Sequence, residues 1–188
     1  MTQTYDQLLR RLDRPIVLVG LMGAGKSSVG RRVASRLGLE FTDADDEIEQ
    51  AAGCSIAEYF ELYGEASFRD GERRVLARLM KDGQGVLATG GGAFMDPETR
   101  GLIKQGGISV WLRASLETLV SRCSRRNHRP LLRTGDPAET LKRLMDQRYP
   151  VYAQSDIEVD TDHNDLDKTV TAVVDSVEGW LVRVEDQL

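Results

Sequence analysis

Gly20-Leu21-Met22-Gly23-Ala24-Gly25-Lys26-Ser27 satisfies the pattern G-x-x-x-x-G-K-[ST]. It follows Ile16-Val17-Leu18-Val19, a continuous apolar run of the kind that fills a parallel strand buried on both faces. It precedes Val29, Val33, Ala34 and Leu37, which recur at helical spacing until Gly38 closes the pattern. A glycine-rich turn between such a strand and such a helix lets backbone N–H groups converge on phosphate oxygens, and the helix N-terminus adds positive potential. Gly23, Ala24, Gly25 and Ser28 lie in that cradle, Lys26 reaches the β- and γ-phosphates, and the Ser27 hydroxyl suits Mg²⁺. A nucleoside triphosphate is the expected ligand.

Phosphoryl transfer also needs carboxylates. Residues 86–89 form an apolar run, but it leads into Gly90-Gly91-Gly92 where a metal-binding Asp usually stands. Asp43 and Asp45 lie just beyond the apolar residues 39–42. Two apart on an extended segment, they point the same way and can both face the phosphate loop, one supporting the metal and the other holding an attacking hydroxyl. The same residues equally suit an N-cap and an acidic first helical turn, and Asp160, at the end of residues 157–159, is a rival metal carboxylate. The glycine triplet either brings backbone amides close to a ligand or is a tight loop with none.

Arg122, Arg125, Arg126, Arg129 and Arg133 fall together with no acid before Asp136, between two helical patterns. That segment reads as a lid that carries an arginine to the transferring phosphate, or as a solvated basic helix end. Arg69 and Arg148 are single arginines that pattern alone does not select.

The elements that position these groups are five short apolar segments alternating with helices, the signature of a doubly wound α/β domain with its ligands at the carboxyl ends of the strands. Cap chemistry marks several helix starts: Ser55 with Glu58, Asp96 before Pro97, and Asp136 before Pro137. Leu8, Leu9 and Leu12 form a short amphipathic pattern before Pro15, so residues 1–14 read as an N-terminal extension and 15–188 as one domain. A net charge of -5 and pI of about 5.2 argue against polyanionic partners such as nucleic acids. Cys54 and Cys123 are too few for a disulfide framework, and the sequence shows neither a signal-peptide pattern nor a membrane-length apolar run. Cytoplasmic location is the expectation.

Together, Gly20 to Ser27, Phe41-Thr42-Asp43-Ala44-Asp45, Ser67-Phe68-Arg69, Gly90 to Gly92, Arg129-Pro130-Leu131-Leu132 and Arg148-Tyr149-Pro150-Val151-Tyr152 resemble the shikimate kinase family, in the family's order. The resemblance implies a three-layer P-loop kinase fold with a five-stranded parallel sheet, a small substrate-binding region at about residues 44–72 and a lid at about 124–136. It implies the use of Mg²⁺ and ATP to phosphorylate the 3-hydroxyl of shikimate for aromatic amino-acid synthesis, and a monomer is the expectation. By matching positions, Asp43 joins Ser27 at the metal, and Asp45, Arg69, Gly91, Gly92 and Arg148 bind shikimate. Lys26, Asp45 and Arg129 are catalytic, Arg129 serving the phosphates, and Arg122 flanks adenine. The sequence departs from the family at Ser28, where Thr is common, and at Asp162-His163-Asn164, where a basic residue near adenine often occurs. Gluconate kinase, nucleoside monophosphate kinase and a GTP-dependent switch are the competing functions, the last lacking an N-K-x-D motif.

Overall fold

The central strand is β1 (Ile16–Val19), each of its residues fully buried in the computed structural model, which describes residues 3–81, 83–124, 136–163 and 165–186. Ile16 pairs with Val86 of β3 (Val86–Ala88) on one side and with Ile108 of β4 (Ile108–Arg113) on the other. Strands buried on both faces by crossover helices have no polar face to show, which is why β1 and β3 read as unbroken apolar runs and β4 is interrupted only by Ser109 before its exposed last residue, Arg113. β2 (Phe41–Asp43) and β5 (Ile157–Asp160) are the edges, and β5 accordingly alternates buried Ile157 and Val159 with exposed Glu158 and Asp160. The described residues thus form a parallel five-stranded sheet in the order β2-β3-β1-β4-β5.

Right-handed crossovers fix which helices cover which face. The chain leaves β1 toward β2 through α2 (Lys26–Leu37), whereas it passes from β2 to β3, from β3 to β4 and from β4 to β5 in the opposite direction. α2 therefore lies on one face. α3 (Ala44–Ala52), α4 (Ile56–Leu79), α5 (Pro97–Gly106), α6 (Leu116–Ser124) and α7 (Pro137–Tyr152) belong to the other crossovers, and α8 (Leu166–Glu185) returns to pack on α2. β1 and β3 are neighbours that send their chains opposite ways, so a crevice opens between their carboxyl ends, at Gly20 and Gly90.

Local chemistry sets the helix ends. Ser55 and Glu58 form a reciprocal capping box, and Asp96 and Asp136 each accept a backbone N–H in the following turn, with Pro next in line. α4 is broken at Gly64 (φ 75, ψ 174), a conformation essentially confined to glycine. Tyr59 and Phe60, before the break, pack on Phe68 after it.

One expectation changes. β2 begins and ends later than residues 39–42, and Asp45 is helical rather than extended, because the Asp43 carboxylate accepts the Asp45 N–H at 3.2 Å and caps α3.

α1 (Gln3–Arg11) folds onto the body. Leu8 and Leu12 are each 1% exposed within the main core, and the Gln84 amide donates to the Leu9 and Leu12 carbonyls. Truncating Leu8 to Ala should therefore destabilise the protein by about 2–5 kcal/mol, as for other buried leucines. Urea unfolding of the two proteins checks this, and a loss below about 0.5 kcal/mol, typical of surface positions, would show that α1 is dispensable to the core.

Candidate active site

Phosphate chemistry begins where β1 stops. Gly25, with φ 96, is the N-cap of α2 and has no side chain to offer its first turn. The opening N–H groups are left for an anion, as a bulkier or capping residue at this left-handed position would not allow. Lys26 Nζ donates to the carbonyls of Gly20 (2.8 Å) and Leu21 (3.1 Å), so its ammonium is held over the loop it belongs to. Ser27 Oγ donates to Asp43 Oδ2 at 2.7 Å, tying α2 to the end of β2. Asp43 fulfils the N-cap reading and also meets the phosphate loop: one oxygen caps α3 and the other accepts from Ser27. Asp160, the rival, is exposed on edge strand β5 and accepts the Asp162 N–H at 2.8 Å.

Asp45, in the first turn of α3, is pressed against the glycine triplet. A Cβ on Gly90 would lie 2.7 Å from Asp45 Oδ1 and 3.3 Å from Glu72 Oε1, and one on Gly92 would lie 2.5 Å from Arg69 Nη2. A side chain at Gly90 or Gly92 would displace the Asp45 carboxylate or the Arg69 guanidinium, whereas a Cβ on Gly91 would meet its neighbours at 3.6 Å, an ordinary contact. Arg148 reaches the same loop from α7, donating to the Gly91 carbonyl at 2.8 Å, and the Tyr152 hydroxyl donates to that carbonyl too. Asp45, Arg69, Gly91, Gly92 and Arg148, which lie far apart in sequence, are thereby brought together beside Lys26.

Burial pushes the Asp45 carboxyl up to about 6; neighbouring Asp43, Glu72 and Asp46 act in the same direction, and Lys26 opposes them. Glu72, on α4, is a residue that sequence reasoning missed. It is 1% exposed and accepts from Arg69 Nη1 at 2.6 Å, and burial raises its carboxyl while Arg69 opposes the rise. The spacing Arg69…Glu72 was visible, but an i,i+3 pair on a helix is ordinarily a surface ion pair. Its burial is tertiary.

On the nucleotide side, Gly23 packs against Leu119 and Cys123 of α6. Arg122, also on α6, donates to Thr161 Oγ1 (3.1 Å) and to the Thr161 carbonyl (2.6 Å), and burial lowers its affinity for its proton. Asp162 accepts the Ser115 N–H at 2.8 Å. Arg129, and residues 125–135 of the expected lid, lie outside the described residues.

A family model for shikimate kinase matches residues 22–178. A shikimate kinase from Paramagnetospirillum magneticum is 57% identical over 171 residues, covering 91% of this chain and 88% of that one. The chain belongs to the shikimate kinase family. Members of this family are ATP-dependent kinases, so the chain is an enzyme. Among solved structures, the shikimate kinase from Acinetobacter baumannii in complex with shikimate aligns with a TM-score of 0.81 at 39% identity, covering 86% of this chain and 90% of that one. A gluconokinase from Sinorhizobium meliloti aligns at 0.55 and 20% identity over 95% of this chain and 97% of that one, a likeness of fold alone. The family reading is thus favoured over gluconate kinase.

The raised Asp45 carboxyl predicts a pH dependence. The folded state holds a proton on Asp45 up to about pH 6, while the unfolded chain releases it near 3.8, so stability falls as pH rises through that window. Asp45→Asn should gain stability over wild type from pH 4 to pH 6 and level off above, by at most about 3 kcal/mol. Urea melts across pH 4–8 test this, and a difference that does not vary with pH would contradict it.

Proposed function

We propose that the chain transfers the γ-phosphoryl group of ATP to the 3-hydroxyl of shikimate, giving shikimate 3-phosphate and ADP. The observation that carries this reading is the convergence of Arg69, Arg148 and Asp45 on the glycine triplet, next to Lys26. An anionic acceptor in an acidic protein needs local cations, and guanidinium groups match a planar carboxylate through paired N–H donors. Asp45 is the group suited to a hydroxyl.

In the proposed reaction the acceptor oxygen bonds to Pγ as the bond from Pγ to the β-phosphate bridging oxygen breaks, and the hydroxyl proton passes to Asp45. A carboxyl near 6 is ionised at neutral pH yet basic enough to take that proton, although a loose transition state asks more for positioning than for a strong base. Lys26 exchanges the loop carbonyls that now hold it for the β- and γ-phosphates, with the amides around Gly23, Ala24, Gly25, Ser27 and Ser28 as the cradle.

Mg²⁺ suits the site: Ser27 and Asp43 are hard oxygen donors 2.7 Å apart, and Mg²⁺ is commonly held by one or two protein oxygens together with phosphate oxygens and water. Those two residues would hold it, and when bound it neutralises charge on the β- and γ-phosphates. Arg129 at the phosphates and Arg122 beside adenine complete the reading on the sequence resemblance, as do a substrate-binding region at about 44–72, a lid at about 124–136, and a cytoplasmic monomer.

An acceptor panel tests the proposal. ATP-dependent ADP release should be fastest with shikimate, and gluconate or a nucleoside monophosphate reacting faster would defeat it. In the same assay Lys26→Ala should lose about 10²–10³-fold in kcat, the magnitude for removing one preorganised charge stabiliser. Arg148→Ala should raise the shikimate KM by about 10²-fold while leaving the ATP KM near wild type, as expected for a desolvated charged contact. Equal effects on both substrates would remove Arg148 from the acceptor site.

A further inference from the structure

The glycine triplet needs stiffness that glycine does not supply. Each carbonyl of the loop is pinned by a different partner. Gly90 O accepts the Ala93 N–H at 3.2 Å and Gly92 O accepts the Met95 N–H at 3.0 Å, so the flanking peptides are fixed by the local turn. Gly91 O, between them, is held from α7 by Arg148 Nη1 at 2.8 Å and by the Tyr152 hydroxyl. Residues four apart on a helix share a face, and a carbonyl has two lone pairs, so both donors reach one acceptor.

The two donors differ in what else they can do. A guanidinium bonds an ionised carboxylate about twice as strongly as a neutral carbonyl, so an anionic acceptor draws Arg148 toward itself. Tyr152 has no such freedom. It is 1% exposed, and its ring lies 6.4 Å from that of Phe94, 6.0 Å from Trp111 and 6.3 Å from Tyr149. Burial pushes its hydroxyl up to about 12, so it remains a donor throughout the working pH range.

We infer that Tyr152 is a positioning residue: its hydroxyl holds the Gly91 peptide in place while Arg148 turns its N–H groups to the acceptor carboxylate. A planar trans peptide fixes the Gly92 N–H opposite to the Gly91 carbonyl, so one bond sets the direction of both groups. The residues on either side lie close to the acceptor groups: a Cβ on Gly90 would stand 2.7 Å from Asp45 Oδ1 and one on Gly92 2.5 Å from Arg69 Nη2. Tyr152 acts through the loop, to which its hydroxyl donates, and beside Arg148, whose guanidinium also interacts with that hydroxyl. This rests on the reading of Arg148 as an acceptor ligand.

The test compares Tyr152→Phe with Tyr149→Phe in the full chain. Both remove a hydroxyl from the same aromatic group, but that of Tyr149 donates to the Ala114 carbonyl, away from the glycine loop. Kinetics are measured with shikimate varied at saturating ATP and the reverse, and thermal melts follow each variant. Tyr152→Phe should raise the shikimate KM about 5–20-fold with the ATP KM within about twofold, and Tyr149→Phe should leave the shikimate KM within about twofold of wild type. A shikimate KM unchanged in Tyr152→Phe, a parallel rise in both KM values, or an equal rise in Tyr149→Phe would overturn the inference. Should Tyr152→Phe fail to fold, fluorotyrosine in the wild-type chain serves instead: the position 152 resonance should shift on adding shikimate without nucleotide, and no shift would overturn the inference. Failure of wild type to phosphorylate shikimate would count against the acceptor reading instead, and the same comparison would then be made with whichever anion the panel selects.

Discussion

Three carboxylates, Asp43, Asp45 and Glu72, are gathered beside one glycine loop, and like charges brought out of water repel one another unless cations stand among them. Lys26 faces Asp45 from the phosphate loop and Arg69 bonds Glu72 from the same helix. These groups come from two connections: α2, between β1 and β2, carries Lys26, while the β2–α3 junction with Asp43 and Asp45 and α4 with Arg69 and Glu72 both lie between β2 and β3. The sheet order is what lets them meet. With β1 in the centre and β3 beside it, the ends of two neighbouring strands open into one crevice, and the helices that return on both faces deliver their side chains to its rim.

Sequence made the frame readable because the frame rests on local rules. Ile16–Val19 is apolar throughout because both faces are covered, and Ser55 with Glu58 forms the capping box their spacing requires. The phosphate loop was legible for the same reason, since its glycines, Lys26 and Ser27 are contiguous. Asp43 could not be settled from the chain alone: a carboxylate at the start of a helix looks the same whether it caps, meets Ser27, or does both. Arg69 and Arg148 were assigned through family resemblance, because a lone arginine carries no periodic signal. Glu72 was missed altogether, since nothing in its spacing distinguishes a buried partner from a surface pair. What periodicity cannot express is which side chains meet across the sheet's rim.

The strain in this arrangement is electrostatic more than steric. Asp45 is held where its charge is disfavoured, and the carboxyl rises toward neutrality in consequence. Stability is given up at such a site, because a carboxylate held out of water beside other carboxylates is disfavoured in its charged form. The closely packed apolar core beneath, from Leu8 and Leu12 through β1 to α8, is what offsets it.

The crevice has two walls of separate origin. Lys26 and Ser27 stand at the start of α2, immediately after the central strand, whereas Asp45, Arg69 and Arg148 stand on helices that reach the rim from α3, α4 and α7. Under the proposed reading, the chemistry of the transferring group and the recognition of its recipient are therefore divisible. A lineage can rebuild the second wall, by substitution or insertion after β2, while the first stays untouched. Diversification of such proteins by recipient, with the donor held constant, is written into the strand order.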